Sequence, residues 1–297
     1  MPLVLRSTSL SLRFPILLGI LCLLATAGCD SAKTEKKPAA GEAKPENSSK
    51  TVAIAPPQGP AKKVLTVAAA SDLKFALPEL QSEFQLTYPD YELRLTFAAS
   101  GTLYSQIKEK APYDIFLSAD RDLPKKLIDE KLTHSKEEFV YAKGTLVLWF
   151  PKDATLYVEK DGLGILTHDS IARIAIANPK FAPYGRAAEA ALKSAKVYEK
   201  IDKKLLMAEN ISQAGVFIEK GGAEAGLLAQ TLIVSTSLKD KGKTWKVPQE
   251  LYPPIVQAGV ILSHCEDTTA AEHFRTLILS DKGREILAKN GLTPPEK

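Results

Sequence analysis

Two serines close two β-type runs that end alike. Residues 64–73 read VLTVAAASDL, ending past Ser71, and residues 93–102 read LRLTFAASGT, ending past Ser100. In each, small residues give way at the serine to an amphipathic helical pattern. Serine is a favoured N-cap, and the first turn of a helix leaves backbone N–H groups without partners. Those donors, with the positive end of the helix dipole, suit an anion. Two such ends at neighbouring strand tips predict a grip on one small oxyanion that needs no basic side chain. For either serine alone, plain helix capping is the competing reading.

Asp72 follows Ser71 directly. A carboxylate in a first helical turn complements the dipole and the free amides, which is a capping role. The functional alternative is a ligand contact through its backbone N–H, with the carboxylate turned away. Facing the anion, the carboxylate would repel a dianion, whereas it could accept a proton from a protonated oxyanion such as hydrogen phosphate. Asp114 and Asp120 flank one strand and form the one candidate acid/base pair; turn capping is the alternative. His134, His168, His264 and His273 make no i, i+4 pair, and no serine lies in a nucleophile elbow. Cys265, in the tripeptide HCE, has no second Cys or His at ligand spacing. The residues therefore predict a binding protein, with no catalytic constellation, no cofactor and no bound metal cation.

Strand and helix signals alternate from Val64 onward, which predicts α/β layers with largely parallel strands. The first set has helices over 73–88, 102–110 and 123–131 and strands over 114–118 and 144–150. A second set has strands over 171–177, 205–209 and 225–229, with helices from Arg186 and from Asn210. A strand over 255–263 and helices over 269–278 and 281–289 close the chain, the last helices returning to the first set. Two α/β lobes facing a cleft are the predicted architecture.

The chain has 297 residues, enough for two modest lobes with a real core. Its 39 Lys and Arg against 35 Asp and Glu give a formal charge of only +4, with no basic block among aromatics, which argues against nucleic acid as partner. The N-terminus carries Arg6 and Arg13, an apolar stretch from Phe14 to Ala25, and the ending ATAGC at Cys29. This is the shape of a secretory signal peptide over 1–28. Its last residues resemble a bacterial lipobox, which implies lipidation of Cys29; an ordinary signal peptide with an incidental cysteine is the alternative. Residues 29–63 are rich in Lys, Glu, Pro, Ala and Ser without apolar periodicity, and are expected to form a flexible tether. With Cys22 in the leader and Cys29 acylated, Cys265 alone remains, so no internal disulfide is expected.

With these junctions laid out, the chain resembles the periplasmic molybdate-binding protein family, the substrate-binding components of ABC importers. The likeness rests on VAAASDL at 67–73, FAASG at 97–101, APYDIFLSAD at 111–120, Asn178-Pro179 through APYG at 182–185, AENI at 208–211 and LYPPI at 251–255. The resemblance implies a two-lobed type II periplasmic-binding fold (a Venus flytrap), with 64–143 plus 252–297 as one lobe, 144–251 as the other, and a hinge between. It implies molybdate, and tungstate with it, held by Ser71 and Ser100 through hydroxyl and backbone N–H, and by the backbone N–H groups of Tyr184 and Ile211. Many members carry a binding tyrosine where this chain has Ala229. A subset carries Pro-Tyr-Gly at the earlier junction, as here at 183–185, so the Tyr184 hydroxyl is expected to take that role. A monomer that delivers its anion to an ABC permease and its ATPase, held at the membrane only by lipid, completes the expectation. Another oxyanion such as phosphate or phosphonate, a small carboxylate, or an exported enzyme using Asp114 and Asp120 are the alternatives.

Overall fold

The computed structural model of the protein describes residues 62–154 and 156–295. The signal peptide 1–28, the lipidation site Cys29 and nearly all of the tether 29–63 lie outside the described residues.

Among the described residues, ten strands form two five-stranded sheets of matching design. In the first, β1 (Lys63–Ala70), β2 (Tyr91–Ala98), β3 (Ile115–Ser118) and β4 (Phe139–Gly144) combine with the last strand, β10 (Ile255–Ile261), in the order β2-β1-β3-β10-β4. In the second, β5 (Leu146–Pro151), β6 (Ile174–Ala177), β7 (Leu205–Ala208), β8 (Ala225–Ala229) and β9 (Gly242–Lys246) follow the order β7-β6-β8-β5-β9. In each sheet two neighbouring pairs are parallel, and the strand that arrives from elsewhere in the chain, β10 or β5, runs antiparallel to both its neighbours. Both sheets are thus mixed, which corrects the expectation of largely parallel strands. The strands missing from the sequence reading, β4 and β9, are edge strands. β9 reads GKTWK and is mostly exposed, so it lacks the apolar run that marks a strand.

The central strands β3, β6 and β8 are buried along their whole length, because helices cover both faces of their sheets. One face of the first sheet packs on helices Ala76–Thr87, Thr268–Leu279 and Asp281–Lys289, where the rings of Phe84 and Phe274 meet edge to face at 5.9 Å. The other face packs on helices Ser100–Lys108 and Asp122–Asp129 through Leu103, Ile107 and Leu127. The second sheet has its own core, to which helix Pro183–Ser194 contributes Ala187, Ala188, Ala191 and Leu192. Proline at the start of that helix loses no hydrogen bond, since the first-turn N–H groups have no intrahelical partner.

The chain passes between the sheets twice, from β4 to β5 and from β9 to β10. The two crossings are tied together. Val247 N–H donates to the Leu146 carbonyl at 3.1 Å, and Leu146 N–H donates to the Tyr252 hydroxyl at 3.2 Å. Among the described residues no helix is long and apolar enough to cross a membrane.

Candidate functional site

Four strand-to-helix junctions point at one place. β1 ends in Ala70, and Ser71 opens a 3₁₀ turn (Ser71–Lys74) that leads into helix Ala76–Thr87. β2 ends in Ala98, and Ser100 is the first residue of its helix. Across the cleft, Tyr184 is the second residue of helix Pro183–Ser194, and Ile211 the first of helix Ile211–Glu219. Ser71, Asp72, Ser100, Tyr184 and Ile211 all line one narrow cavity of about 10 Å³, whose remaining wall is alanine and one proline. That is below the roughly 300–1,000 Å³ of sites for drug-sized molecules. The lining contains no Lys, Arg or His, so the positive potential available to a guest comes from N–H groups and helix dipoles.

Neither serine acts as a helix cap. The N-cap positions are Ala70 and Ala99, and neither helix start has a side-chain cap. A residue already in helical conformation has lost the extended backbone that lets a cap side chain fold back on the next amides. Ser100, fully buried, instead accepts the backbone N–H of Ala119 on its Oγ at 3.0 Å. At the fourth junction the cap is Asn210, extended at φ −147°, whose Oδ1 accepts Gln213 N–H at 3.0 Å. The Ile211 amide, one residue on, is outside that bond.

The two halves meet closely around the cavity. Gly101 N–H donates to the Phe181 carbonyl at 2.8 Å, and a Cβ at Gly101 would come within 2.7 Å of that oxygen. Ser212 Oγ donates to the Ser71 carbonyl at 2.7 Å. At the rim Arg186 pairs with Asp120, which also accepts Leu123 N–H at 2.9 Å. Burial raises the Asp120 carboxyl above the usual range, against the pull of the Leu123 amide and of Arg186.

Asp72 is the buried charge of the site, 1% exposed. Gln257 Nε2 donates to its Oδ2, and lies 3.4 Å from the Tyr184 hydroxyl. Burial pushes the Asp72 carboxyl up to about 6, with Gln257, the Tyr184 hydroxyl and its own amide pulling the other way. Burial, and then Asp72 itself, push the Tyr184 phenol well above its usual range, so it remains neutral. The Tyr184 hydroxyl fits because position 144 is glycine: a Cβ there would stand 2.2 Å from it. Ala229, where a tyrosine was noted as missing, is fully buried at the end of β8, paired with Leu146.

Gln257 was not singled out from the sequence. It is fully buried on β10, where the pairing with β4 shifts register between Gln257 and Ala258. Such a bulge re-aims a side chain. The available signal was its polarity, since it is the only polar residue in the strand IVQAGVI.

The other candidate chemistry is not assembled. Asp114 accepts the amide and hydroxyl of Thr66, both at 2.7 Å, and so ties β1 to the start of β3. Asp120 lies beyond the other end of β3, about 20 Å away at 3.3 Å per residue. Cys265 is buried, and burial together with nearby Asp114 pushes its thiol up to about 12, which leaves it inert. Among the described residues no group of three or more His, Cys, Asp or Glu could hold a metal ion.

Known proteins share this plan. The family profile described as "Bacterial extracellular solute-binding protein" matches residues 65–293. The molybdate-binding protein ModA of Rhodobacter capsulatus is 37% identical over 195 residues, covering 66% of this chain and 75% of that protein. ModA of Azotobacter vinelandii is 34% identical over 225 residues, covering 76% and 88%. The solved structure of the Azotobacter vinelandii periplasmic molybdate-binding protein superposes with a TM-score of 0.73 at 29% identity, covering 78% of this chain and all of that one.

Proposed function

The chain belongs to the bacterial extracellular solute-binding protein family, and from that premise we propose that it captures molybdate, with tungstate, outside the cytoplasmic membrane and hands it to an ABC permease. The observation that carries this reading is the convergence of four helix starts on one small cavity without a basic side chain. A tetrahedral oxyanion presents acceptor oxygens in every direction, and this site presents N–H and O–H groups from several sides. The ModA relatives, similar over most of their length, supply the choice among oxyanions.

In this reading Ser71 and Ser100 donate by hydroxyl and amide, and Tyr184 and Ile211 by amide. Asp72 contributes its backbone N–H, and the Tyr184 hydroxyl completes the set in place of a tyrosine at Ala229. Residues 64–143 with 252–297 form one lobe and 144–251 the other, closing on the anion about the paired crossings. Selectivity follows from fit, because a smaller tetrahedron such as sulfate leaves buried donors unpaired, and an unpaired buried donor costs about 1–3 kcal/mol. The protein works as a monomer, without catalysis. A lipid on Cys29 and the tether to residue 63 keep it near the permease and its ATPase.

The test is thermal unfolding with added anions. Molybdate and tungstate should raise Tm in proportion to the logarithm of their concentration, as expected for a ligand that binds only the folded state. Sulfate at the same concentration should leave Tm in place. Equal shifts from molybdate and sulfate would remove the selectivity, and no shift from any of the three would remove the function.

A further inference from the structure

Asp72 sets a problem that the donors around it do not solve. Its carboxylate is buried in the wall of a cavity built for an anion, and no Lys, Arg or His lines that cavity. Two buried oxygens in its cluster, Asp72 Oδ1 and Gln257 Oε1, have no hydrogen-bond partner among the described residues. Both are acceptors. The O–H of Tyr184 and the amide protons of Gln257 are all that these three side chains can give, and the Tyr184 hydroxyl already acts on Asp72, so bringing a dianion against the cluster adds more acceptors and more negative charge.

Resting on the molybdate reading, we propose that the loaded site holds Asp72 as a neutral carboxylic acid, so that the anion binds together with one proton and Asp72 Oδ1–H serves as an additional donor to it. Gln257 is then a positioning residue: its Nε2 holds Oδ2 and leaves Oδ1 for the proton. The bulge at Gln257 and Ala258 on β10 aims it there. The groups packed around the carboxyl support this assignment. From the helix at Pro183 comes the Tyr184 hydroxyl, and from β4 the Tyr141 hydroxyl, which donates to the Ser118 carbonyl at 3.0 Å. Burial raises both phenols well above their usual range, so neither supplies a charge. Asp120, the other acid that acts on Tyr141, is already paired with Arg186. The carboxyl itself is raised to about 6 by burial before any anion arrives, and a neighbouring dianion raises it further.

The consequence is a proton count. Above pH 6 the empty site is ionised and must take up a proton to load, so Kd should rise close to tenfold for each pH unit between pH 7 and 8. Below pH 6 the proton is already present and Kd should level off. Calorimetric titration of the purified protein with molybdate at pH 8, in buffers of low and high ionisation enthalpy, reads the uptake directly. About one proton per anion is expected for the wild type. For Asp72→Asn, whose amide donates without titrating, no uptake and a flat pH profile are expected. Gln257→Leu should shift the midpoint of the profile while keeping the uptake. Tight molybdate binding with zero proton uptake and a Kd independent of pH from 6 to 9 overturns the proposal while leaving the function intact. If molybdate gives no heat at any pH, the function falls instead. The count is then read with sulfate, also a dianion over this range, and a zero count or no binding overturns the proposal as well.

Discussion

The Ser100 hydroxyl oxygen accepts the backbone N–H of Ala119 at 3.0 Å, from a side chain with no exposed surface. That bond fixes the rotamer and occupies a lone pair, which leaves the single hydroxyl proton to be given to something else. The acceptor side of the serine is thus taken by Ala119, the residue that follows the end of β3.

Replacing Ser100 by Ala should act twice. The Ala119 amide loses its acceptor in a buried place, and any bound anion loses a donor, each at about 1–3 kcal/mol. Urea unfolding without ligand should show the first effect. Calorimetry with molybdate should show the second, as a Kd raised by about tenfold to a hundredfold. A destabilised variant with unchanged affinity would confine Ser100 to architecture.

Gly101→Ala should act on closure. A methyl there meets the Phe181 carbonyl oxygen at 2.7 Å, and both partners are backbone, so neither half can yield cheaply. The fold of each half has no reason to suffer. The expected result is a near-normal melt without ligand, weaker anion binding, and, in small-angle scattering, loss of the compaction on binding that closure predicts for the wild type.

Arg186 and Asp120 join the halves at the rim, and Arg186 is 45% exposed. Exposed pairs are worth about 0.2–1 kcal/mol, so Arg186→Ala should weaken binding by several-fold at most. The change should fall on the dissociation rate, since the pair forms only when the halves meet. Stopped-flow release at low and high salt checks this: the wild-type rate should approach that of the variant as salt screens the pair.

The acidity of Asp72 also bears on stability without any anion. Its folded pKa is raised from 3.8 to about 6 by burial, so its ionised form is the one the fold disfavours. Its favourable contribution is complete below pH 3.8, declines between 3.8 and 6, and is gone above 6. A shift of that size corresponds to about 3 kcal/mol as an upper bound. Asp72→Asn should therefore be more stable than wild type at pH 8 and no more stable at pH 4. Denaturant melts at the two pH values separate this from a loss of the Gln257 contact, which would lower stability at both.

The helix starts at Ser71, Ser100 and Asn210 were legible in the sequence because they are local events, small residues closing an apolar run and then a change of period, whereas the helix that begins at Pro183 was read only from Arg186. Which of them capped was not legible. Ser71 and Ser100 lie one residue inside their helices, a difference of backbone angle that composition does not carry, whereas Asn210 does cap. Gln257 escaped for a different reason. Its partner Asp72 is 185 residues away in sequence, and only the return of β10 to the first sheet and its slipped register bring the two together. β9 escaped because this edge strand sheds the apolar pattern that central strands such as β3 must keep, whereas β4, FVYAKG, keeps buried Phe139, Tyr141 and Ala142 and was passed over all the same.

The two chain crossings between the sheets are joined by Val247 N–H to the Leu146 carbonyl. The consequence is kinematic. One crossing alone would allow swivel, tilt and shear, and each helix start could then reach the guest at its own moment. Two crossings bound side by side define an axis and leave essentially one rotational freedom. If the junctions at Ser71, Ser100, Tyr184 and Ile211 hold the guest as proposed, they would meet it and leave it together.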